Sequence, residues 1–349
     1  MGMVKHYPAV NRAATPACSV CIANFNGVAM LADCLDSVLA QQGEFSIEII
    51  VHDDASTDDS LAFLRERYPQ VEVLASSDNV GFCISNNRMA AHARGEYILL
   101  LNNDAALHSD AIITFLREVE SQKVQGILTL PQYDWETGAL VDRGCLLDPF
   151  CNPIPNLDPA CIDVAYVIGA CLWCSRDMWR ALGGFPEWME SLAEDLYLCG
   201  VARLRGKPVR ALSGSGYRHR QGATFGGNRV ASGGLQTSIK RRHLSERNKT
   251  RALVILTPGL AMWPLLVVHL LALTLEGLVL CAAHRDPTLW RKIYGPAIAT
   301  PLRDVAMLRT ERRAQQSRRQ IPLGRWFAPT RWFSRKVTMA LRYGMPKFH

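Results

Sequence analysis

The run Ile98-Leu99-Leu100-Leu101 passes without a break into Asn102-Asn103-Asp104, and that junction constrains the chain more than any other stretch. Four consecutive aliphatic residues suit a strand buried on both faces of a parallel sheet. Ligands of open α/β sheets sit just beyond the carboxyl ends of such strands, where Asn102 and Asp104 stand. A carboxylate there can hold a cation or phosphate. The same triplet is also turn and cap chemistry ahead of a helix over residues 110–119.

Upstream, strand-like runs at 18–23, 47–51 and 71–74 alternate with helical spacing at 30–39, 60–67 and 84–93. That alternation predicts βαβ units and a parallel sheet. The polar loops Asn24-Phe25-Asn26-Gly27, His52–Asp58 and Asp78–Phe82 each follow a strand, so they should gather on one edge. The site is then of nucleotide-binding geometry. No Gly-x-Gly-x-x-Gly or Walker loop is present, which argues against dehydrogenase and kinase readings. Further on, 138–159 reads as a long Pro-, Asp- and Asn-rich loop, 165–174 as a strand and 208–212 as a short strand before Tyr217-Arg218-His219-Arg220. The segment 191–198 opens a helix, and the five glycines of 222–234 suggest mobility.

Charge divides the chain. Residues 285–349 hold 15 Lys/Arg against 3 Asp/Glu, a net of +12, which leaves −5 for residues 1–284 out of the overall +7. A basic tail carrying Arg325-Trp326-Phe327 and Arg331-Trp332-Phe333 suits an anionic membrane surface. No nucleic-acid-reading motif accompanies it, so nucleic acid is not an expected partner. Residues 252–275 contain no Asp, Glu, Lys or Arg, and the apolar character continues to Ala283, long enough for a bilayer core. Pro258, Gly259 and Pro264 would interrupt a straight helix, and His269 and Glu276 would be costly at mid-membrane. Re-entrant or interfacial helices are therefore favoured over a simple span; a buried hairpin covering the globule is the alternative. The N-terminus shows no secretory signal, and the eleven cysteines read as reduced thiols. Cys18-x-x-Cys21 and Cys171-x-x-Cys174 have zinc-ligand spacing, but residues three apart on a strand face opposite sides.

Five segments in order resemble the inverting family-2 glycosyltransferases of GT-A fold: Ser19–Asn26, Glu48–Asp58, Asn79–Phe82 with Asn86-Asn87, Gly95–Asp104, and Gly183-Gly184-Phe185 with Glu194-Asp195. The C-terminal region, with Arg247-Asn248 before the apolar stretch, is similar to rhamnosyltransferase-like members of bacterial surface polysaccharide synthesis.

The resemblance implies roles. Asn24, Asp53, Asn79, Gly81, Asn87, Asn102 and Asn103 would bind the nucleotide sugar, Asp53 through the pyrimidine base. Asp53, Asn79 and Gly81 are also ordinary cap and turn residues. Asp104 would bind Mn²⁺ or Mg²⁺ bridging the donor diphosphate, with His219 as a second metal ligand or else a surface residue; Arg218 and Arg220 offer phosphate contacts. Asp195 would be the general base for the acceptor hydroxyl and Glu194 would orient the acceptor, although two acids at a helix start also suit its dipole. Two positions depart from the family pattern: Asn102-Asn103-Asp104 replaces Asp-x-Asp, and Tyr197 stands where many relatives have Asp.

The expectation is an α/β, GT-A fold (Rossmann-like, mostly parallel sheet flanked by helices) with a C-terminal helical membrane-associated region. Residues 1–16 form a loose lead-in, 17–235 the transferase domain, and 236–349 the membrane-associating region. The expected partners are a dTDP- or UDP-sugar donor, a lipid-linked saccharide acceptor and the cytoplasmic face of a bacterial inner membrane. Gln320 lies too far from Arg325-Trp326 for the Gln-x-x-Arg-Trp motif of processive members, so transfer should be non-processive. A sugar-phosphate nucleotidyltransferase and an inactive membrane-bound scaffold are the competing classes.

Overall fold

The computed structural model describes residues 3–12, 14–122, 125–220, 229–231 and 234–348; the glycine-rich segment 222–234 thus falls largely outside the described residues. The chain forms two compact units. The first comprises Met1–Gly144, Pro155–Ser191 and Lys207–Arg220, and the second Cys145–Ile154, Leu192–Gly206 and Gln221–His349.

The strands in chain order are β1 (Val4–Tyr7), β2 (Cys18–Asn24), β3 (Ile47–Asp53), β4 (Glu72–Ser76), β5 (Tyr97–Asn102), β6 (Ala105–Leu107) and β7 (Ile127–Thr129). They continue with β8 (Gln132–Asp134), β9 (Leu140–Asp142), β10 (Cys145–Leu147), β11 (Pro153–Pro155), β12 (Cys171–Ser175), β13 (Val209–Ala211) and β14 (Tyr217–His219). The first unit is built on an eight-stranded sheet of order β1-β4-β3-β2-β5-β12-β7-β13. Its centre, β4-β3-β2-β5, is parallel, as the aliphatic runs require, while β12 runs antiparallel to both neighbours. Helices α1 (Val28–Leu39), α2 (Ser60–Arg67), α3 (Phe82–His92), α4 (Ala111–Gln122) and α5 (Arg176–Leu182) belong to this unit. Trp173 is fully buried, stacked between Tyr97 at 5.0 Å and Phe115 at 4.8 Å. Cys18, Cys21, Cys171 and Cys174 are buried free thiols of this core, and burial pushes the thiols of Cys171 and Cys174 up to about 12, so they serve as small hydrophobes.

Two local expectations are corrected. The lead-in over 1–16 is not loose throughout, because Val4–Tyr7 pairs antiparallel with β4 as an edge strand, His6 opposite Leu74. The stretch 138–159 is not one long loop but holds β9, β10 and β11. Its aspartates close the turns: Asp142 accepts the Gly144 N–H at 2.9 Å, and Asp148 accepts those of Phe150 and Asn152 at 2.9 Å each.

The second unit contains the β10–β11 pair and helices α6 (Glu194–Leu204), α7 (Ile239–Leu256), α8 (Met262–His284), α9 (Gly295–Arg303), α10 (Val305–Gln316), α11 (Leu323–Phe327) and α12 (Arg335–Tyr343). Much of the basic tail is folded into it. Lys336 bridges the buried Glu246 at 2.9 Å and Glu276 at 2.6 Å, and Arg251 binds Asp304 at 2.6 Å. Arg312 donates to the carbonyls of Val254 and Thr257 at the end of α7 and to that of Gly259 just beyond it. Along α8, Trp263, Val267, Leu271, Leu275 and Leu278 are all more than half exposed.

Candidate active site

Parallel pairing puts the carboxyl ends of β2, β3 and β5 side by side: Asn24 is in register with Asp53, and Ala23 with Asn102. The polar residues ending these strands interlock. Asn24 donates to Asp53 at 3.1 Å, Asn103 donates to Asn24 Oδ1 at 2.8 Å, and Asp53 Oδ2 accepts the Ser56 N–H at 3.2 Å. Asn24, Asp53 and Asn103 are buried. Gly27 makes this closeness possible, since a Cβ there would lie 2.2 Å from Asn103 Nδ2 and 2.4 Å from Asn24 Oδ1.

Asp54 clamps the next loop by accepting the N–H groups of Val80 and Gly81 at 2.8 Å each. Gly81 has φ +87°, a conformation that favours glycine, and Asn79 is exposed beside it. Asn87 has a different set of partners from a nucleotide-facing amide. It donates to the Phe185 carbonyl at 2.8 Å and accepts the Phe185 N–H at 2.9 Å, tying α3 to the Gly183-Gly184 turn.

The second sheet of this unit, β6-β14-β8-β9, brings His219 to Asp104. Residues Ala105–Leu107 follow Asp104 directly and pair with β14, setting His219 opposite Ala105. His219 Nε2 lies 3.0 Å from Asp104 Oδ1, and both residues are buried, so His219 is not a surface residue. Nδ1 of the same ring lies 3.1 Å from Gln132 Oε1, an oxygen that also accepts the Tyr217 hydroxyl at 2.9 Å. An amide oxygen can only accept, so Nδ1 carries the ring proton. Nε2 faces Asp104 Oδ1, with the Asn102 amide nitrogen 3.4 Å away.

An imidazole nitrogen and a carboxylate oxygen thus face each other in a buried setting. A 3.0 Å separation suits neighbouring ligands on bonds of about 2.1 Å at a right angle. The outer N–H of a metal-bound histidine ordinarily goes to a carbonyl or carboxylate, the part Gln132 plays here. The donor set thus fits a hard or borderline divalent ion, and the imidazole favours Mn²⁺ over Ca²⁺.

Gln132, Tyr217, Asp54 and Asp142 do not stand out in the sequence. Asp142 faces Gln132 across the β8–β9 pairing, and burial pushes its carboxyl up to about 7. Asp53-Asp54 doubles an acid at a strand end, which is the one signal that could have marked Asp54. Arg220 donates to Asp33 at 2.6 Å and stacks on Trp135 at 3.8 Å. Gln132→Met should lower Mn²⁺ affinity about 10- to 100-fold, the usual cost of losing a ligand's hydrogen-bond partner. Calorimetric Mn²⁺ titration reads this, and an unchanged affinity would remove Gln132 from the site.

Glu194 and Asp195 belong to the second unit, in the first turn of α6. Burial pushes the Glu194 carboxyl up to about 8, the charge of Asp195 adding to the effect, and Glu194 Oε2 is buried without a partner among the described residues. Leu192 and Ala193, just before the helix, hold φ +70° and +69°, strained values for side-chain-bearing residues. Tyr197 is buried, its hydroxyl donating to Glu311 at 3.2 Å.

The family model described as glycosyl transferase family 2 matches residues 19–182. An uncharacterized protein of Mycobacterium tuberculosis is 34% identical over 112 residues, 32% of this chain and 35% of that protein. A poly(ribitol-phosphate) beta-glucosyltransferase of Bacillus spizizenii is 29% identical over 156 residues, 43% of this chain and 24% of that protein. The matches thus span about a third or less of the length of these relatives. Among solved structures, GalNAc-T7 with UDP, GalNAc and Mn²⁺ superposes with a TM-score of 0.63 at 13% identity, covering 95% of this chain and 59% of that one. A mannosyltransferase of Pyrobaculum calidifontis in complex with GDP-Man and Mn²⁺ gives 0.51 at 17% identity, covering 85% and 89%. At such identities the likeness speaks for the fold, which is GT-A. Over residues 19–182 this chain matches glycosyl transferase family 2, with which its GT-A fold is consistent.

Proposed function

We propose that the protein transfers a sugar, with inversion and one unit at a time, from a nucleoside diphosphate sugar to a lipid-linked saccharide during cell-envelope polysaccharide synthesis. The observation that carries this reading is the buried His219 Nε2 facing Asp104 Oδ1 at 3.0 Å beyond the carboxyl edge of β5. Asp104 and His219 would hold Mn²⁺ or Mg²⁺. When bound, the ion offsets charge on the departing diphosphate. Asp53 and Asn24 would receive the base and ribose of a dTDP or UDP donor, together with Asn79, Gly81, Asn102 and Asn103. Asn87 is left out, because both ends of its amide are already taken up. Asp195 takes the proton of the acceptor hydroxyl as that oxygen attacks the anomeric carbon, and Glu194, neutral below about pH 8, positions the acceptor. The ligands of the similar solved structures, UDP with GalNAc and Mn²⁺ or GDP-Man with Mn²⁺, are consistent with this donor class.

The test is product analysis by NMR with UDP- and dTDP-sugars and MnCl₂. Release of nucleoside diphosphate, dependent on metal, is the expected result. Pyrophosphate release from a sugar phosphate and nucleoside triphosphate would mean a nucleotidyltransferase. Absence of both reactions with membrane binding intact would mean a scaffold.

The second unit supports work at the cytoplasmic face of a membrane. Gly259–His284, 26 residues, is long and apolar enough to cross a bilayer. Its exposed apolar side chains adjoin a hollow lined by Gly259, Arg309, Arg312, Arg313 and Arg319. Removing residues from Arg285 onward would unfold this unit rather than test its charge, since Asp304 and Lys336 hold α7. Replacing the exposed Arg309, Arg313 and Arg319 by Gln is the cleaner change. At about 1 kcal/mol per arginine near an anionic surface, the triple variant should bind phosphatidylglycerol vesicles about 100-fold more weakly, and salt should mimic the loss. Unchanged co-sedimentation would refute the electrostatic contribution.

A further inference from the structure

At the amino-terminal end of β4, away from the carboxyl edge of the sheet, three side chains distant in sequence converge. His6 lies on β1, Glu72 opens β4 and His92 ends α3. His6 is opposite Leu74, so it shares a sheet face with Glu72, two residues along. One donor atom from each residue lies within 4.8 Å of the others. Both imidazoles turn Nε2 toward the same oxygen, Glu72 Oε1: His6 at 2.8 Å and His92 closer still. Arg12 Nη2 reaches that oxygen at 2.6 Å and Oε2 at 2.5 Å.

Arg12 can lie wholly on Oε2, which leaves Oε1 to the two Nε2 atoms as two hydrogen bonds in the metal-free protein. The same two imidazole nitrogens and carboxylate oxygen lie close enough together to ligate one ion once both Nε2 atoms are unprotonated, while Arg12 holds the other carboxylate oxygen. Glu72 is buried, its side chain 2% exposed, whereas the two rings are 37% and 33% exposed, so solvent has access.

We propose that His6, Glu72 and His92 form a second metal site, selective for Zn²⁺, that fastens the edge strand β1 to β4 and α3. Two histidines, one glutamate and an open position for water make a common tetrahedral zinc set. The site is independent of the one at Asp104, which lies beyond the opposite end of the strands. Its part is to hold the N-terminal strand, because ligands contributed by β1, β4 and α3 can be brought together only when β1 is docked.

The test uses the full chain carrying Asp104→Asn, so that the first site does not contribute. Equilibrium dialysis against ZnCl₂ with elemental analysis should give one zinc per chain. Co²⁺ in its place should show the visible absorption of tetrahedral coordination. His6→Ala and His92→Ala should each weaken Zn²⁺ binding at least tenfold and abolish the cobalt bands, and zinc should slow proteolysis ahead of β2 only in the parent protein. His6→Gln is the control for folding, since it can still donate to Glu72. Loss of zinc by His6→Gln with an unchanged metal-free melting temperature supports the proposal. Zinc binding by either His6 variant as tight as the parent's overturns it, and so does a parent protein that takes up no zinc.

Discussion

Asp104→Asn should lower metal-dependent donor turnover by about 10³-fold while leaving the fold intact. Asparagine is nearly isosteric, and its amide can donate to or accept from Nε2 of His219, so the buried contact survives as a hydrogen bond. The negative charge is what disappears. With it goes the only carboxylate of the Asn102-Asn103-Asp104 triplet. His219 keeps its orientation through Gln132, so the variant isolates charge from geometry. The measurement is nucleoside diphosphate release across a Mn²⁺ titration, with thermal melting in EDTA as the folding control. Full activity at saturating Mn²⁺ with only a shifted midpoint would leave Asp104 a minor ligand.

Asp195→Asn should reduce transfer about 10²- to 10⁴-fold, the usual worth of a positioned general base, with donor affinity unchanged. Equal loss of donor binding and turnover would mean the residue holds substrate instead. Glu194 serves as the internal comparison. Its carboxyl rises from an ordinary 4.5 to about 8, through burial first and the neighbouring Asp195 second, so at neutral pH it is an uncharged acid. Glutamine imitates that state, and Glu194→Gln should keep activity at pH 7 within roughly threefold. The same shift fixes a sign for stability. Between about pH 4.5 and 8 the unfolded chain has released this proton and the fold retains it, so Glu194 makes stability fall as pH rises through that window. Glu194→Gln should flatten the decline of melting temperature between pH 6 and 8.5, and an unaltered slope would place the titration elsewhere.

The central strands were legible because burial on both faces leaves continuous aliphatic runs, as in Ile98–Leu101, and because each run ends in a polar loop. Register followed once the runs were parallel, which is why Asn24 stands opposite Asp53 and Asn102 ends the adjoining strand opposite Ala23. Gln132 and Tyr217 were not legible. They reach His219 through the parallel pairing of β8 with β14, strands of three residues whose partners are 85 positions apart. Strand β1 was missed because Val4-Lys5-His6-Tyr7 lies at an edge, where only one face needs apolar residues. The tail's net charge is legible as a sum, but not which of its charges face inward. Lys336 and Arg312 are spent on internal partners, whereas Arg309, Arg313, Arg319 and most of the tail's other basic residues are exposed. A count of charges cannot distinguish the two, because the distinction depends on where Glu246 and Asp304 fold.

The most direct measurement is calorimetric binding of UDP and dTDP to the full chain with MnCl₂ and again in EDTA. If Asp104 and His219 grip the diphosphate through a cation, one nucleotide binds per chain, at least tenfold more tightly with Mn²⁺, and the gain vanishes in both Asp104→Asn and His219→Ala. Binding of equal strength in EDTA, or a manganese effect that survives both substitutions, would contradict the account.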